Sequence, residues 1–374
     1  LFRPSAKKIL EGLGQFVKKI VFILPNLNSG GAERVAINFL AELERYGADL
    51  TLLLLQPVGT LRQLVPPCVK VKVLDVVKVR DSIPAVYSEL NQIKPDVVYT
   101  THSRITPVIG SVKWFSRLTF TYIARVPNNP IKELAHGVYG RLRSRIFGWG
   151  YRRADIVIAQ TSEMREACVQ LYGLSEGRVC VIHNSLNTAN IHRCLEGTVS
   201  PFDQGELPIV ALGRLAPQKN FCLLVHAFHK ISNENSSVKL YILGDDHGQK
   251  QEIERLVTDF KLDDRVVLLG LVSNPYPFIA NARVFAMSSD YEGFPNALLE
   301  SYYLNTPIAT TKNCDVIEQL VTDGKNGYLA EVGDVDGLAL AIKNSLQLDR
   351  QKIHNSLGVL DTEISDLFFS ESSK

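Results

Sequence analysis

The chain has 374 residues, of which 45% are hydrophobic and 21% charged, a composition typical of a globular protein long enough for two domains. No apolar run reaches the roughly 18 residues that a transmembrane helix needs. The six cysteines form no C-x-x-C pair, which favours reduced thiols in a cytoplasmic protein. No signal peptide is visible, and the first residue is Leu1 rather than Met, which leaves the true N-terminus open.

The charge is unevenly distributed along the chain. Residues 1 to 198 contain 26 Lys and Arg against 15 Asp and Glu, a net charge of +11, whereas the remainder has a net charge of −9. A basic half without nucleic-acid motifs indicates attraction to an anionic surface or substrate, such as an acidic membrane leaflet or a diphosphate-linked lipid. Solubility and attraction between the two halves are the alternatives. We expect no nucleic-acid partner.

The first elements are an amphipathic stretch and a strand followed by a glycine turn. Residues 4 to 19 place apolar side chains on one helical stripe among lysines, as in an interfacial helix or a leader packed on the first domain. Lys19 to Pro25 is typical of a buried parallel strand. Gly30 and Gly31 then open a helix, where backbone N–H groups can approach an anion. Glu33 would complement the dipole of that helix.

Strands and helices continue to alternate through the first half, which predicts a parallel sheet. His102 follows the strand-like segment PDVVYTT and so falls at the carboxyl end of a strand, where open α/β sheets bind ligands. Arg125 and Asn128 follow the next strand-like segment. Because they would share the same rim, we interpret them as acceptor-side groups.

An arginine and aromatic run occupies residues 137 to 153, with five arginines, two tyrosines, one phenylalanine and one tryptophan. This pattern suits a membrane interface or a phosphate-bearing acceptor, and a helix packed on the sheet is the alternative. A zinc site at Cys180 and His183 is disfavoured, because residues three apart in a strand point to opposite faces.

A polar stretch from Leu195 to Leu207 lies where the charge changes sign, which predicts a linker and the domain limits 1–199 and 200–374. After it, GRLAPQKN follows another strand, and its Arg214 and Lys219 place two cations in one loop, where they could bind an anion. The C-terminal end after residue 346 is poorly patterned and is interpreted as a short crossover helix or a frayed end.

Two carboxylates lie close together in the segment EGFPNALLE, which follows the strand Val284 to Met287. Gly293 with Pro295 is expected to start a helix, so that Glu292 lies at its N-terminus. Glu300 is then about two turns further along on nearly the same face. Both carboxylates could therefore address one crevice.

Several of these segments resemble glycosyltransferase family 4, the retaining enzymes of the GT-B fold, in which two Rossmann-like domains face each other across a cleft. The matching motifs are GGAE at residues 30–33, GRLAPQKN at 213–220, EGFPNALLE at 292–300 and DGKNG at 323–327. One departure is KNCDV at 312–316, where Cys314 and Asp315 replace the glycines that family members often carry. Contacts to the donor sugar through that loop are therefore open.

The resemblance implies an α/β enzyme that moves a hexose or N-acetylhexosamine from a nucleotide sugar, expected to be UDP-linked, to a lipid-linked saccharide or polysaccharide. Arg214 and Lys219 would stabilise the leaving diphosphate, Glu292 and His102 would act at the donor sugar, and Glu300 would bind the ribose. The donor would also contact Gly30, Gly31, Gly293, Phe294, Pro295 and Asn296.

No cofactor or metal is expected, because cations already match the diphosphate charge and Asp334 and Asp336 are interpreted as helix-capping acids. We expect a peripheral protein at the cytoplasmic face of the membrane. Two alternatives remain open, a nucleotide-sugar epimerase of the same fold and an inactive nucleotide-sugar or polysaccharide-binding protein.

Overall fold

The computed structural model describes residues 19–28, 30–44, 47–57, 59–134, 137–184 and 186–355, without the side chains of residues 133–139. The amphipathic stretch predicted before Lys19 and the C-terminal end after residue 355 lie outside the described residues. The described residues form two compact units, one up to residue 184 and one from 186 to 355.

The first unit is built on a seven-stranded parallel sheet with the strand order β3-β2-β1-β4-β5-β6-β7. Its strands are β1 (Lys19–Leu24), β2 (Asp49–Leu54), β3 (Lys70–Val73), β4 (Val97–Thr100), β5 (Thr121–Arg125), β6 (Ile156–Ala159) and β7 (Val179–Val181). Its helices are α1 (Gly31–Glu44), α2 (Ile83–Ile93), α3 (Thr106–Phe115), α4 (Pro130–Leu134), α5 (Gly137–Arg153) and α6 (Ser162–Tyr172).

Strand β1 shows why this sheet is covered on both faces. Its residues after Lys19 are apolar and buried. Val21 and Ile23 pack into a core that includes residues of α2, α3 and α5, whereas Phe22 and Leu24 pack with residues of α1 on the opposite face. Each such buried side chain contributes about 1.5–3 kcal/mol relative to exposure. The continuous apolar run is thus the signature of a central parallel strand, as predicted.

The second unit is built on a six-stranded parallel sheet with the order β10-β9-β8-β11-β12-β13. Its strands are β8 (Leu207–Leu212), β9 (Val238–Leu243), β10 (Val266–Gly270), β11 (Val284–Met287), β12 (Ile308–Thr311) and β13 (Gly327–Ala330). Its helices are α7 (Thr188–Leu195), α8 (Phe221–Ser232), α9 (Lys250–Asp259), α10 (Tyr276–Asn281), α11 (Asn296–Tyr303), α12 (Ile317–Leu320) and α13 (Val335–Ser345). None of the helices described in either unit is long and apolar enough to cross a bilayer.

Both sheets have the doubly wound strand order of a Rossmann-like domain, which confirms the predicted fold class. In each unit the order reverses between the first strand and the fourth, β1 beside β4 and β8 beside β11. Ligands of such sheets bind outside the carboxyl ends of the strands at this switch point. The loops that follow these four strands are therefore where functional groups are expected.

Helix α7 belongs to the second unit. Its Cys194 carbonyl accepts a hydrogen bond of 2.7 Å from Asn274 Nδ2, and His192 Nε2 lies 2.7 Å from Tyr303 Oη. The division predicted from the change in charge falls after residue 199, whereas the packing of α7 places these residues with the second sheet. The charge of a segment reflects its solvent-exposed side chains, whereas the unit to which a helix belongs depends on what the helix packs against. The limits 1–199 and 200–374 stay a prediction.

Candidate active site

The first unit brings Glu33 and His102 together at its switch point. Glu33 lies in the first turn of α1, which follows β1, and His102 follows β4. His102 Nε2 lies 3.2 Å from Glu33 Oε1, with exposed side-chain fractions of 22% and 10%. A carboxylate beside an imidazole orients the ring and influences which nitrogen carries the proton. The sequence singled out both residues, but only the structure shows that they are partners.

Gly30 makes this pairing possible. A Cβ atom at Gly30 would lie 2.0 Å from Glu33 Oε2, so a side chain there would displace the carboxylate. The Gly30 N–H donates to Asn28 O at 2.7 Å, which closes the turn before α1. Gly31 begins α1 and is exposed. The glycine loop therefore both accommodates Glu33 and keeps backbone accessible at the helix start.

Arg125, at the end of β5, is buried, with 1% of its surface exposed. Its Nη1 donates to Thr101 Oγ1 at 3.0 Å, and its Nη2 donates to Asn184 Oδ1. Burial lowers the pKa of the Arg125 guanidinium, while Tyr99 and Tyr151 act in the opposite direction. It forms no ion pair with a residue that the structure describes. A buried cation held by neutral acceptors is costly, which points to a role beyond packing.

The two acceptor-side groups differ in access. Asn128 is half-buried, and its Oδ1 accepts from the Asn129 N–H at 2.9 Å. The side chain of Arg125 is enclosed, so in this conformation it reaches a ligand only through Thr101 and Asn184. The acceptor-side assignment of both residues stays a prediction. No sequence pattern predicted that Arg125 would be buried.

The second unit brings Lys219 and Glu292 together at its own switch point. Lys219 closes the 3-10 turn after β8, and Glu292 lies in the loop after β11. Lys219 Nζ donates to Glu292 Oε1 at 2.5 Å, and Ser289 Oγ donates to the same oxygen at 2.6 Å. The exposed side-chain fractions of the lysine and the glutamate are 18% and 7%. Charge-assisted bonds of this kind are the strong ones.

Further hydrogen bonds fasten the two loops together. Gln218 Nε2 donates to Tyr291 O at 2.8 Å, and Asn220 Nδ2 donates to Asp290 Oδ1 at 2.8 Å. Asn220 also caps α8, accepting from the Leu223 N–H at 3.2 Å. The sequence did not predict these supporting roles. The signal that could have found them is the pair of amide residues that flank Lys219 between a strand and a helix, since Asn is a preferred helix-capping residue.

Glycines and one exposed arginine complete this loop. A Cβ atom at Gly213 would lie 3.1 Å from Lys219 Cε, and one at Gly244 would lie 1.8 Å from Gly213 O. The lysine stem thus lies directly over Gly213, which in turn packs against Gly244. Arg214 is exposed and forms no ion pair with any described residue. Its charge is therefore available to an anionic ligand.

The helix predicted after Glu292 begins later than expected. α11 starts at Asn296, after Pro295, and has no side-chain cap. The Glu292 N–H instead points to Asn313 O, at 3.4 Å. Glu292 therefore lies in a loop, and the argument from helical spacing to Glu300 is wrong. Glu300 itself is on α11, half-buried, and accepts from Tyr276 Oη at 3.4 Å.

No described side chain caps the first turn of α11, whose Asn296 N–H donates to Phe294 O at 3.0 Å. Gly293, Phe294 and Pro295 are buried, and Asn296 is half-buried. The first N–H groups of a helix lack intrahelical acceptors and carry a partial positive charge, which favours an anion. The role in donor binding predicted for the residues from Gly293 to Asn296 stays a prediction.

The loop that departs from the family pattern lies against this site. Asn313 precedes Cys314, which is buried with 7% exposed, and Asn313 O faces the Glu292 N–H. Thr311 Oγ1, on β12, donates to Ser289 O at 2.7 Å. The loop after β12 therefore supports the loop that carries Glu292.

Asp334 and Asp336 have structural partners. Asp334 Oδ1 accepts from the Gly337 N–H at 2.9 Å and caps α13, as the sequence predicted, while Asp336 pairs with Lys230 at 2.6 Å. Within the part of the chain that the structure describes, no group of three His, Cys, Asp or Glu side chains could hold a metal ion.

Two family models match the chain. The model described as "Glycosyl transferases group 1" matches residues 206–347, which carry Lys219 and Glu292. The model described as "Glycosyltransferase Family 4" matches residues 29–190, which carry Glu33 and His102. Each model thus covers one switch point.

Individual proteins agree with this result. An uncharacterized glycosyltransferase of Methanocaldococcus jannaschii is 29% identical over 59% of this chain and 57% of its own length. The N-acetylgalactosamine-N,N'-diacetylbacillosaminyl-diphospho-undecaprenol 4-alpha-N-acetylgalactosaminyltransferase of Campylobacter jejuni is 28% identical over 54% of this chain and 53% of its own length. The chain thus spans a little over half the length of these relatives.

The fold also matches a solved structure. Anabaena HepE in complex with UDP-glucose superposes with a TM-score of 0.73 at 22% identity, over 89% of this chain and 91% of HepE. At this level of identity the likeness concerns the fold.

Proposed function

Because the chain belongs to the group 1, GT4-type glycosyltransferases of the GT-B fold, we propose that it transfers a hexose or N-acetylhexosamine from a UDP-linked donor, with retention of configuration. The proposed acceptor is a lipid-linked saccharide or polysaccharide in cell-surface glycan synthesis. The observation that carries the proposal is the Lys219–Glu292 pair at the switch point of the second unit, with exposed Arg214, which has no ion-pair partner among the described residues, on the same loop.

The donor diphosphate is assigned to Arg214, Lys219 and the start of α11. Lys219 has three N–H donors and uses one for Glu292, so the others remain for phosphate oxygens. Arg214 adds a planar donor set without a competing carboxylate among the described residues. Cations aimed at a leaving diphosphate stabilise the charge that develops in the transition state. UDP as the nucleotide is supported by the UDP-glucose complex of HepE.

The transfer step needs no protein nucleophile. The bond between the sugar C1 and the diphosphate oxygen breaks, and the acceptor hydroxyl oxygen forms a bond to C1 from the same face. Its proton passes to the departing diphosphate oxygen. Glu292 lies near the donor sugar in this scheme, Glu300 binds the ribose hydroxyls, and His102 with Glu33 holds a sugar hydroxyl. Gly30 and Gly31 offer backbone N–H groups to an anion.

The acceptor class is supported by one relative, whose name describes transfer to a saccharide on diphospho-undecaprenol. The first unit is basic, as an anionic lipid would require, since residues 19 to 184 contain 21 Lys and Arg against 13 Asp and Glu, a net charge of +8. We assign the acceptor to this unit, with Asn128 in contact and Arg125 acting through its neutral partners.

The test is to incubate purified protein with UDP- and GDP-linked sugars and a polyprenyl-diphosphate saccharide, reading products by mass and the new anomeric centre by NMR. We expect UDP release that depends on the acceptor, and a product linkage with the configuration of the donor. Sugar interconversion without an acceptor would identify an epimerase instead. Donor binding without turnover on any acceptor would identify a binding protein, and inversion would overturn the mechanism.

We also propose that the first unit binds the cytoplasmic face of the membrane. On α5, Arg141, Arg143 and Arg145 are exposed together with Leu142 and Ile146. An exposed basic residue near an anionic leaflet contributes about 1 kcal/mol, so a few give reversible binding. Cosedimentation should occur with anionic liposomes at low salt and decrease at high salt. If changing the three arginines to Glu leaves it intact, the basic charge serves solubility.

A further inference from the structure

The first unit has a concave feature that shares one loop, the loop after β4, with the candidate active site. It is a pocket of about 370 Å³, a volume within the range of small-ligand sites. The turn at 79–82, the loop after β4 and helices α2, α3 and α5 line it. Its floor is apolar and consists of Val79, Ile83, Pro107, Val108, Ile146 and Phe147.

Three arginines from three different elements line the same pocket. Arg80 lies on the turn before α2, Arg104 in the loop after β4, and Arg143 on α5. All three are exposed. Arg143 Cζ lies 5.6 Å from the centre of the Phe147 ring, a cation–π distance that holds the guanidinium over the floor.

The positive charge of this pocket is poorly compensated. No carboxylate is among its described lining residues. Arg104 and Arg143 form no ion pair with the described part of the chain, and Arg80 Nε has only Asp81 Oδ1 at 3.6 Å, with both side chains exposed. Like charges that line one pocket repel one another unless an anion offsets them. The arrangement is therefore suited to a ligand that supplies several negative charges.

The apolar floor restricts what that ligand is. A free phosphate would use the arginines and leave the floor uncovered, whereas a neutral lipid would leave the arginines unmatched. A phosphate ester of a hydrocarbon alcohol satisfies both, since guanidinium forks bind phosphate oxygens in pairs and the chain covers the apolar side chains. Exposed Ile146 at the edge of the floor, 47% accessible, extends the apolar surface outward.

The pocket adjoins the predicted acceptor side. Arg104 follows His102 by two residues, which limits the distance between their Cα atoms to about 7 Å. The loop after β4 therefore carries both an arginine of the pocket and the imidazole of the candidate active site.

We propose that this pocket binds the diphosphate and first isoprene units of an isoprenoid-linked acceptor, an inference that rests on the proposed transferase function. The arginines bind the diphosphate, the floor receives the hydrocarbon next to it, and the saccharide extends toward His102. The pocket would thereby select acceptors by the group that anchors the sugar.

The chain provides its own reporters for this binding. Its two tryptophans, Trp114 on α3 and Trp149 on α5, both lie on helices that enclose the pocket. Arg153 Cζ lies 5.9 Å and 5.3 Å from their ring centres. Tryptophan fluorescence of the full chain can therefore be titrated with farnesyl diphosphate, with farnesol and with inorganic diphosphate, in the absence of any sugar donor. Isothermal calorimetry gives the same constants independently.

Farnesyl diphosphate is expected to bind at least tenfold more tightly than either farnesol or inorganic diphosphate. Arg104→Gln and Arg143→Gln should each weaken that binding at least tenfold. The matched control is Arg117→Gln, which removes the same charge from the first unit at an exposed position outside the pocket lining, and should change binding less than twofold. Unchanged circular dichroism shows that the variants fold.

Three results would overturn the proposal. If inorganic diphosphate binds as tightly as the farnesyl ester, the floor takes no part. If Arg117→Gln weakens binding as much as Arg143→Gln, the effect is that of a diffuse basic surface rather than a pocket. If farnesyl diphosphate does not bind while the protein transfers sugar to a soluble saccharide, the pocket assignment fails and the transferase function stands.

Discussion

The two switch points have the same architecture and opposite chemistry. In the first unit the carboxylate, Glu33, follows the first strand, and its partner His102 follows the fourth. In the second unit the order is inverted, since the cation Lys219 follows the first strand and the carboxylate Glu292 follows the fourth. Each pair joins the same two loops of its sheet.

The difference lies in what each pair does to a ligand. Lys219 is a fixed cation, and with exposed Arg214 beside it the second unit offers permanent positive charge to a diphosphate. The imidazole of His102 can both donate and accept a hydrogen bond, which suits contacts with sugar hydroxyls. Under the proposed function, one fold supplies a phosphate-binding edge and a hydroxyl-binding edge through different side chains at equivalent loops.

Arg214→Ala tests whether the loop after β8 binds the donor diphosphate. We expect kcat to fall about 10²–10³-fold, because the change removes a donor that stabilises the leaving diphosphate. Stability should be unchanged, since Arg214 is exposed and unpaired with any described residue. Steady-state kinetics and thermal unfolding measure the two effects. The control is Arg255→Ala, an exposed arginine on α9. Near-normal turnover in Arg214→Ala would remove this edge from the donor site.

The Lys219–Glu292 pair should be mutually dependent. Lys219→Met leaves the buried Glu292 carboxylate without its cation and should destabilise the second unit by about 3 kcal/mol. Adding Glu292→Gln removes the stranded charge, and the amide can still accept from Ser289, so most of the loss should be recovered. Hydrogen exchange of the β8 and β11 amides reports the stability of this unit.

Equal destabilisation in the single and double variants would show that the two side chains are not coupled. Both variants should turn over slowly, because each lacks the lysine that faces the diphosphate. Glu292→Gln alone should depress kcat more than it changes donor KM.

Substitutions in the two units should change different kinetic constants. Glu300→Ala should raise the donor KM about tenfold through lost bonds to the ribose hydroxyls, with little change in the acceptor KM. His102→Gln should instead lower kcat and leave the donor dissociation constant unchanged. Initial rates with each substrate varied in turn distinguish these outcomes. A change of donor affinity in His102→Gln as large as that in Glu300→Ala would contradict the division of labour.

The smallest expected effect is that of metal removal. Activity should survive EDTA, because Arg214 and Lys219 supply the positive charge that a divalent ion would otherwise provide. Rates are compared before and after chelation, then with added Mg²⁺ or Mn²⁺. A loss of activity that these ions restore would show that the side-chain cations are insufficient.

Local patterns carried most of the fold and part of the site. The strand predicted from Val284 to Met287 is β11 with the same bounds, and the strand predicted from Lys19 to Pro25 is β1, which ends one residue earlier. Such segments are readable because a central parallel strand is apolar along its whole length. The prediction was wrong for Glu292, because the backbone there is held by the loop after β12, which lies distant in sequence.

The sequence alone predicts the alternation of strands and helices. That alternation also identifies the loops that begin at the carboxyl edges of the two sheets. Tertiary structure alone decided which side chains meet there. Lys219 and Glu292 are 73 residues apart, and Arg125 becomes buried through partners on two other loops. The physical reason is that periodicity is a property of neighbouring residues, whereas pairing and burial depend on the strand order and on how distant loops pack.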